Sequence, residues 1–343
     1  MKKKTYIIAE VGANHNGSLI TAKKYVDILS KINVDAVKFQ LSNPDLALSD
    51  NSFRAHYEKK SKGFNPKQNL IEEVQNRQLS LNHHKQLYKY CKKKNIDYLC
   101  SPFDLESLKF LINKLRVKKI KIPSGEILSL DFFSFLNNSK NFFEIILSTG
   151  MASYKEIEIA LNNLKKIKRD RIKILHCVSN YPTRIDKVNL LVIPEMKRRY
   201  KCDVGFSDHT ENNLTSAIAV GLGARIIEKH VTLNKNLPGP DHKMSLNMNE
   251  FKKLVLEIRS VEKMIGNKLK PITKEEMNIA KVARKSIVAK KDIKPEERIK
   301  KNHICFKRPG TGILPIYCKN ILNKKAKRFI KANTLILYKD IYL

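Results

Sequence analysis

Two histidines stand out in this 343-residue chain, in Gly205-Phe206-Ser207-Asp208-His209-Thr210 and in Glu228-Lys229-His230-Val231. Each follows an apolar or β-branched run at the point where it gives way to a loop, and each has a carboxylate beside it. Two imidazoles delivered by successive strand ends read as a partial metal site with room left for substrate. The competing reading is a histidine that caps a strand or satisfies the core. The company they keep favours chemistry, because nearly every other strand end in the first 250 residues also carries polar groups. Lys38 and Gln40 fall on one side of an apolar run, and Lys121 sits between Ile120 and Ile122. A lysine aimed into a protein interior is costly unless an anion meets it; the alternative for Lys121 is an edge strand reaching solvent. Ser124 and Gly125 offer a hydroxyl and a backbone donor to phosphate oxygens, with Glu126 beside them for acid or base work. At the fifth and sixth strand ends Ser148, Thr149, Ser179 and Asn180 add neutral donors around a phosphate or carboxylate. The run Glu10-Val11-Gly12-Ala13-Asn14-His15-Asn16-Gly17 can present several groups to a polyol, or place a helix cap at Asn16 or Ser18. Asp241, in the rigid turn Pro238-Gly239-Pro240-Asp241-His242, brings a carboxylate close to the metal end. Cys177 is assigned to the core, since it and His176 face opposite sides of a strand, and Met151 is assigned to packing. Together these groups suit condensation of a phosphorylated, carboxylated donor with a carbonyl acceptor activated by a metal. No P-loop, dinucleotide fingerprint or G-x-S-x-G elbow is present.

Positioning such groups requires strands that all end on one side. Strand-like runs are expected at 6–11, 36–40, 97–101, 119–123, 144–148, 172–178, 203–207 and 224–230, with helical periodicity between them. The clearest helical stripe is Phe251, Leu254, Val255, Ile258, Val261 and Ile265. Eight alternating units predict a (β/α)8 barrel, preferred over an open doubly wound sheet because chemistry follows all eight strands rather than one crevice. The polar stretch from Leu41 to Leu79 is too long for an ordinary connection and reads as a functional excursion or lid. The expected organisation is a barrel over 1–267, a linker over 268–283 and a second, small domain over 284–343. Some sixty residues would be marginal alone, so that domain is expected to dock on something.

The net charge is +34, but the lysines are spread in doublets over the helices without an aromatic-studded basic segment. Nucleic-acid binding is therefore not expected, while a positive field would favour small anionic substrates. No apolar run approaches the length of a membrane span, and Glu10 interrupts the first apolar run too early for a signal peptide. The six cysteines show no close pairing, which suits reduced thiols in a cytoplasmic protein.

In the residues named above, and in Val37-Lys38-Phe39-Gln40, Ser101-Pro102-Phe103-Asp104, Lys121-Ile122-Pro123-Ser124-Gly125-Glu126, Leu147-Ser148-Thr149-Gly150-Met151 and Asn180-Tyr181-Pro182-Thr183, the chain resembles the sialic acid synthase family. Ala283-Arg284-Lys285-Ser286-Ile287-Val288-Ala289 and Lys307-Arg308-Pro309-Gly310-Thr311-Gly312 resemble the antifreeze-like (SAF) domain that follows the barrel in these synthases. The resemblance spans almost the whole chain in the expected order. It implies condensation of phosphoenolpyruvate with the open-chain aldehyde of an N-acetylated hexosamine, with release of phosphate by C–O cleavage. It further implies a divalent metal, Mn2+ or Mg2+, on His209 and His230. Lys38, Lys121, Ser124, Ser148, Asn180 and Ser207, joined by Ser101, match positions that hold phosphoenolpyruvate. Glu10, Gln40, Tyr181 and Asp241 match acceptor-side positions. Glu126 would manage a proton or stabilise a developing cation. Arg308 matches an arginine presented to the acceptor's N-acetyl group across the interface of a domain-swapped homodimer. The Pro238-to-Asp241 turn and Ser124-Gly125-Glu126 favour the neuraminic and legionaminic groups over the pseudaminic one. N-acetylneuraminate, made from N-acetylmannosamine, is the expected product, with N,N'-diacetyllegionaminate, from a 2,4-diacetamido-6-deoxy hexose, as the alternative.

Overall fold

The computed structural model describes residues 4–267 and 269–342. The first three residues of the basic start, Lys268 at the head of the expected linker and Leu343 at the end of the second domain lie outside them.

The chain divides into two compact units, meeting at Gly266 and Asn267. The first is a (β/α)8 barrel. Its strands are β1 (Tyr6–Gly12), β2 (Ala36–Leu41), β3 (Asp97–Pro102), β4 (Lys119–Ile122), β5 (Glu144–Ser148), β6 (Ile172–Cys177), β7 (Asp203–Asp208) and β8 (Ile226–Thr232). All eight fall within two residues of the runs expected from sequence. They pair in parallel in the order β3-β2-β1-β8-β7-β6-β5-β4, and β3 packs beside β4 to close the circle. A two-residue strand, β9 (Leu246–Asn247), extends β8.

Alternation along the strands sorts their side chains into two cores. One set faces the helices, where Val37, Phe39, Ile120, Ile122, Leu147, Val204 and Phe206 join Tyr25, Leu29, Phe132, Phe133 and Phe251 in the main hydrophobic core. The other set faces the barrel axis. Ile8, Ala36, Leu99, Ile146, Leu175 and Ile226 form a separate apolar plug there. Two residues further along the same strands stand Glu10, Lys38, Ser101, Ser148, Cys177 and Glu228. A polar ring thus lies directly on an apolar floor, at the carboxyl ends of the strands.

The βα connections end in helix caps that hold the loops in place. Ser18 accepts from Thr21 N, Ser80 from His83 N and Asp104 from Ser107 N. Ser153 with Glu156, and Asn247 with Glu250, form reciprocal capping boxes. In the long helix Met248–Met264, Phe251, Leu254, Val255 and Ile258 of the expected stripe are buried, whereas Ile265 lies past its end and is exposed. The excursion after β2 carries short helices at Pro44–Ala47 and Leu70–Arg77, with a single turn at Glu58–Lys60 between them.

The second unit has its own core, nearly all isoleucine: Ile287, Ile293, Ile299, Ile304, Ile313, Ile321, Ile330, Ile336 and Ile341 with Ala289 and Ala326. Its one ladder pairs β10 (Ser286–Ala289) antiparallel with β11 (Ile304–Lys307). The stretch read as linker carries a ten-residue helix, Lys274–Ala283, started by a capping box between Thr273 and Glu276. The polar face of this helix masked its short period in the sequence.

Candidate active site

The polar ring lines a cavity of about 610 Å³ at the mouth of the barrel. β1 supplies Glu10, β2 Lys38 and Gln40, β3 Ser101, β4 Lys121, β5 Ser148, β6 Cys177, β7 Ser207 and β8 Glu228 and His230. Ser124, Asn180, Tyr181 and His209 come from the loops just beyond. Twelve of the expected site residues therefore meet on one cavity.

Lys38 and Lys121 are internal, with 4% and 3% of their surface exposed. The anion that each requires is Glu228. Lys121 Nζ lies 3.0 Å and Lys38 Nζ 3.3 Å from its Oε1, to which the Ser207 hydroxyl also donates at 3.0 Å. Lys38 Nζ further donates to Ser101 Oγ at 3.2 Å and stands 3.2 Å from Glu10 Oε2. Gln40 Nε2 donates to Glu10 Oε1 at 3.1 Å. Gly12, at φ +54°, makes this convergence possible: a Cβ there would stand 3.1 Å from Glu10 Oε1, 3.3 Å from Gln40 Nε2 and 3.5 Å from Asp241 Oδ2.

The electrostatics follow from this packing. Burial pushes the Glu228 carboxyl up, but Lys121 and Lys38 overcome it and hold the group far below the carboxylate range. Burial would lower Lys38, and the pull of Glu10 and Glu228 outweighs it, so Lys38 is raised. Lys121 has one glutamate partner, feels Lys38 nearby and is lowered, chiefly by burial. Burial raises Glu10 to about 7, with Lys38 opposing. The ring thus holds a carboxyl poised to exchange a proton near neutral pH.

His209 and His230 lie with ring centroids 5.5 Å apart, and the Tyr181 ring, tilted by 60°, packs 4.3 Å from His209. His209 Nδ1 lies 3.2 Å from the Val178 carbonyl, which suits donation from that nitrogen and leaves Nε2 for another ligand. His230 Nδ1 is buried without a hydrogen-bond partner, 3.8 Å from Asp241 Oδ2. Among the described residues no three or more His, Cys, Asp and Glu gather closely enough to hold a metal ion by themselves. The donor set fits an ion that draws its remaining ligands from substrate and water.

Several expectations need correction. The carboxylates beside the two histidines do not accompany them. Asp208 faces the helices and pairs with Lys229 at 2.8 Å, while Glu228 is spent on the two lysines. Adjacent strand residues point to opposite sides, so proximity in sequence misleads here. Glu126 is not among the residues that line the cavity; its carboxylate takes the Ser129 hydroxyl, and burial raises its pKa. Asp241 does not line the cavity either, but it does bring a carboxylate close to the metal end, its Oδ2 3.8 Å from His230 Nδ1. Asn14, His15 and Asn16 serve the fold: Asn14 donates to the Val231 carbonyl, His15 accepts from Gly17 N and Asn16 donates to the Pro238 carbonyl. Cys177 belongs to the site, its Sγ 3.8 Å from His209 Nδ1. The alternation argument was sound for this pair, but Cys177 takes the axial side while His176 packs on Phe206 outside. Met151, expected to pack, is 74% exposed at the rim. Arg308 is exposed just beyond β11, in the second unit. Sequence reading did not single out Glu228 as a site residue. Its spacing of two before His230 was the available signal, because it places both on the axial face.

Comparison with known proteins agrees with this architecture. Residues 25–270 match the NeuB family and residues 284–341 the SAF domain. The chain is 44% identical over 336 residues to the N,N'-diacetyllegionaminic acid synthase of Campylobacter jejuni, covering 97% of this chain and 99% of that one. It is 36% identical over 340 residues to the enzyme of the same name from Legionella pneumophila, covering 98% and 94%. Among solved structures, the N-acetylneuraminic acid synthetase of Leptospira borgpetersenii aligns with a TM-score of 0.70 at 32% identity, covering 80% of this chain and 90% of that one. The chain belongs to the NeuB family of sialic acid synthases, with a C-terminal SAF domain.

Proposed function

We propose that this protein condenses phosphoenolpyruvate with the aldehyde of a 2,4-diacetamido-6-deoxy hexose to give N,N'-diacetyllegionaminate and phosphate. The observation that carries the chemistry is the pair of buried lysines bridged by Glu228 beneath an open cavity. Two ammonium groups fixed 3.0 and 3.3 Å from one carboxylate form a preorganised anion site. Ser101, Ser124, Ser148, Asn180 and Ser207 surround it with neutral donors for the phosphate and carboxylate of the donor substrate. The acceptor choice is supported by the 44% and 36% identities to legionaminic acid synthases. These outweigh the N-acetylneuraminate reading favoured by the motifs alone, since both groups share those motifs.

His209 and His230 would hold the divalent metal, Mn2+ or Mg2+, which when bound polarises the acceptor's aldehyde oxygen. The protein's own residues do the rest. The lysines orient the enol so that its methylene carbon meets the aldehyde; water then adds to the resulting cation, and phosphate departs with C–O cleavage. Glu10, buried beside Lys38 and raised to about 7, is placed to take or return the proton. Tyr181 and Gln40 orient the sugar, and Asp241 acts through His230, 3.8 Å from its carboxylate. Glu126, off the cavity wall, acts on the cavity only through the turn it shares with Ser124. Arg308, on the SAF domain of the second subunit of a domain-swapped homodimer, would meet the acceptor's N-acetyl group. Among the described residues no helix is long and apolar enough to cross a membrane. The proposed location is the cytoplasm, which suits six cysteines that are all free thiols.

The test is phosphate release from phosphoenolpyruvate with Mn2+, comparing the 2,4-diacetamido-6-deoxy hexose with N-acetylmannosamine. Higher kcat/KM for the first is expected. Higher kcat/KM for N-acetylmannosamine would make the protein an N-acetylneuraminate synthase instead.

A further inference from the structure

The excursion after β2 does more than cover the barrel mouth. Its single turn brings Tyr57 onto the cavity wall, where the ring packs at a tilt of 34° against Tyr181 with centroids 4.8 Å apart. Tyr181 in turn lies 4.3 Å from His209 and 6.4 Å, edge-on, from His230. The rings make a continuous run of contacts from the histidine pair through Tyr181 to Tyr57. The wall is fixed rather than loose. Lys62 and Gly239 are bridged backbone to backbone, with Gly239 N donating to the Lys62 carbonyl at 3.0 Å. Arg54, three residues before Tyr57, donates to Glu73 and to the Gln68 carbonyl, tying the turn to the helix Leu70–Arg77.

We infer that Tyr57 is a specificity-determining residue that reads the substituents of the acceptor farthest from its aldehyde. The inference rests on the acceptor reading above, which puts the aldehyde carbon at His209 and His230. A sugar chain running outward from there passes Tyr181 and ends against Tyr57. Phe103 and Met151 line the same cavity. An aromatic face gains free energy by removing a methyl group from water, but strips a hydroxyl of its hydration without replacing the lost hydrogen bond. The wall therefore favours a sugar bearing a deoxy carbon and a second acetamido group over one with hydroxyls at those positions. Discrimination built on one or two methyl-sized contacts is about 10–200-fold in kcat/KM.

The experiment compares wild type, Tyr57→Ala and Tyr57→Phe by steady-state phosphate release. Each is assayed with the 2,4-diacetamido-6-deoxy hexose and with N-acetylmannosamine, and KM for phosphoenolpyruvate is measured in parallel. Tyr57→Ala is expected to shift the ratio of kcat/KM values toward N-acetylmannosamine by about 10–200-fold, with KM for phosphoenolpyruvate unchanged. Tyr57→Phe should keep the wild-type ratio, because the ring face makes the distinction. An unchanged ratio in Tyr57→Ala, or an equal loss toward both acceptors, would overturn the inference. The wild-type preference is a separate readout. If wild type prefers N-acetylmannosamine, the acceptor reading fails, whereas the role of Tyr57 stands or falls on how far the alanine variant moves the ratio. If Tyr57→Ala does not fold, Tyr57→Leu replaces it, keeping bulk and removing the flat aromatic face.

Discussion

Glu228 and Lys229 are neighbours in the chain and both are buried in ion pairs, yet the two pairs have opposite characters. On the outer side of β8, Lys229 meets Asp208 at 2.8 Å and donates to the Thr210 carbonyl at the same distance. Asp208 also accepts from Thr215, Ser216 and the Thr210 amide. Burial pushes that carboxyl up, but Lys229 and Ser216 more than offset it and hold it below its usual range. On the axial side, Glu228 meets two lysines with one oxygen, while its Oε2, together with Ser148 Oγ and His230 Nδ1, has no hydrogen-bond partner. A buried network with every member satisfied specifies a fold; one with several open valences awaits a ligand. One strand therefore carries a structural ion pair and a binding site on opposite faces.

The comparison can be broken by substitutions that exchange these roles. The largest effects are expected at the open end of the axial side. His209→Ala and His230→Ala should lose metal-dependent turnover by at least about 10³-fold, equivalent to the several kcal/mol a metal supplies, while remaining folded by circular dichroism. Wild-type turnover in both would refute the metal assignment. On the outer side the loss should fall on stability. Asp208→Asn leaves Lys229 buried without its counter-charge and should cost about 3–5 kcal/mol in denaturant unfolding; a cost below 1 kcal/mol would show that the outer pair is dispensable. Arg308→Ala should raise KM for the acceptor about 10–100-fold, the worth of a charge-assisted hydrogen bond, and leave KM for phosphoenolpyruvate alone. Equal changes in both would remove Arg308 from the acceptor's side.

The most gradual effect concerns buried histidines held neutral. Burial lowers His84 to about 3 and His15 to about 4, and His84 Nδ1 is engaged with Tyr98 Oη at 2.7 Å. The folded state therefore refuses protons that the unfolded chain accepts near pH 6.5. Stability is complete above that pH and declines as pH falls toward 4, by about 1.4 kcal/mol per pH unit for each such histidine. Urea unfolding between pH 7 and 4.5 should show a shallower decline in His84→Gln than in wild type. Identical slopes would assign the acid sensitivity to other groups.

Much of this was legible in the sequence, for identifiable reasons. The strands were visible because β-branched runs alternate with helical periods, and Lys38 and Lys121 because a lysine inside such a run needs an anion. That anion, Glu228, was harder to see: it lies 107 residues from Lys121, and only barrel closure brings them together. The same closure decides which of two adjacent residues faces the axis. Hence Asp208 and Glu228 were both credited to the histidines, and Cys177 was sent to the core. Glu126 and Asp241 fall near the site in the chain, yet neither lines the cavity: Glu126 takes the Ser129 hydroxyl and Asp241 approaches His230. Tyr57 sits in a polar excursion with no period to mark it, and its place depends on its packing against Tyr181 and on the Lys62–Gly239 bridge, which no local pattern encodes.

The most direct test of the division between the two faces of β8 is a thermal-unfolding titration with phosphoenolpyruvate on wild type, Lys121→Met and Lys229→Met. At a hundredfold excess over the dissociation constant the ligand should stabilise wild type by about 2.7 kcal/mol. Lys229→Met should start from a lower midpoint and gain a similar increment, whereas Lys121→Met should gain almost nothing from whatever midpoint it starts. An undiminished increment in Lys121→Met would contradict the assignment of the axial lysines to the donor substrate.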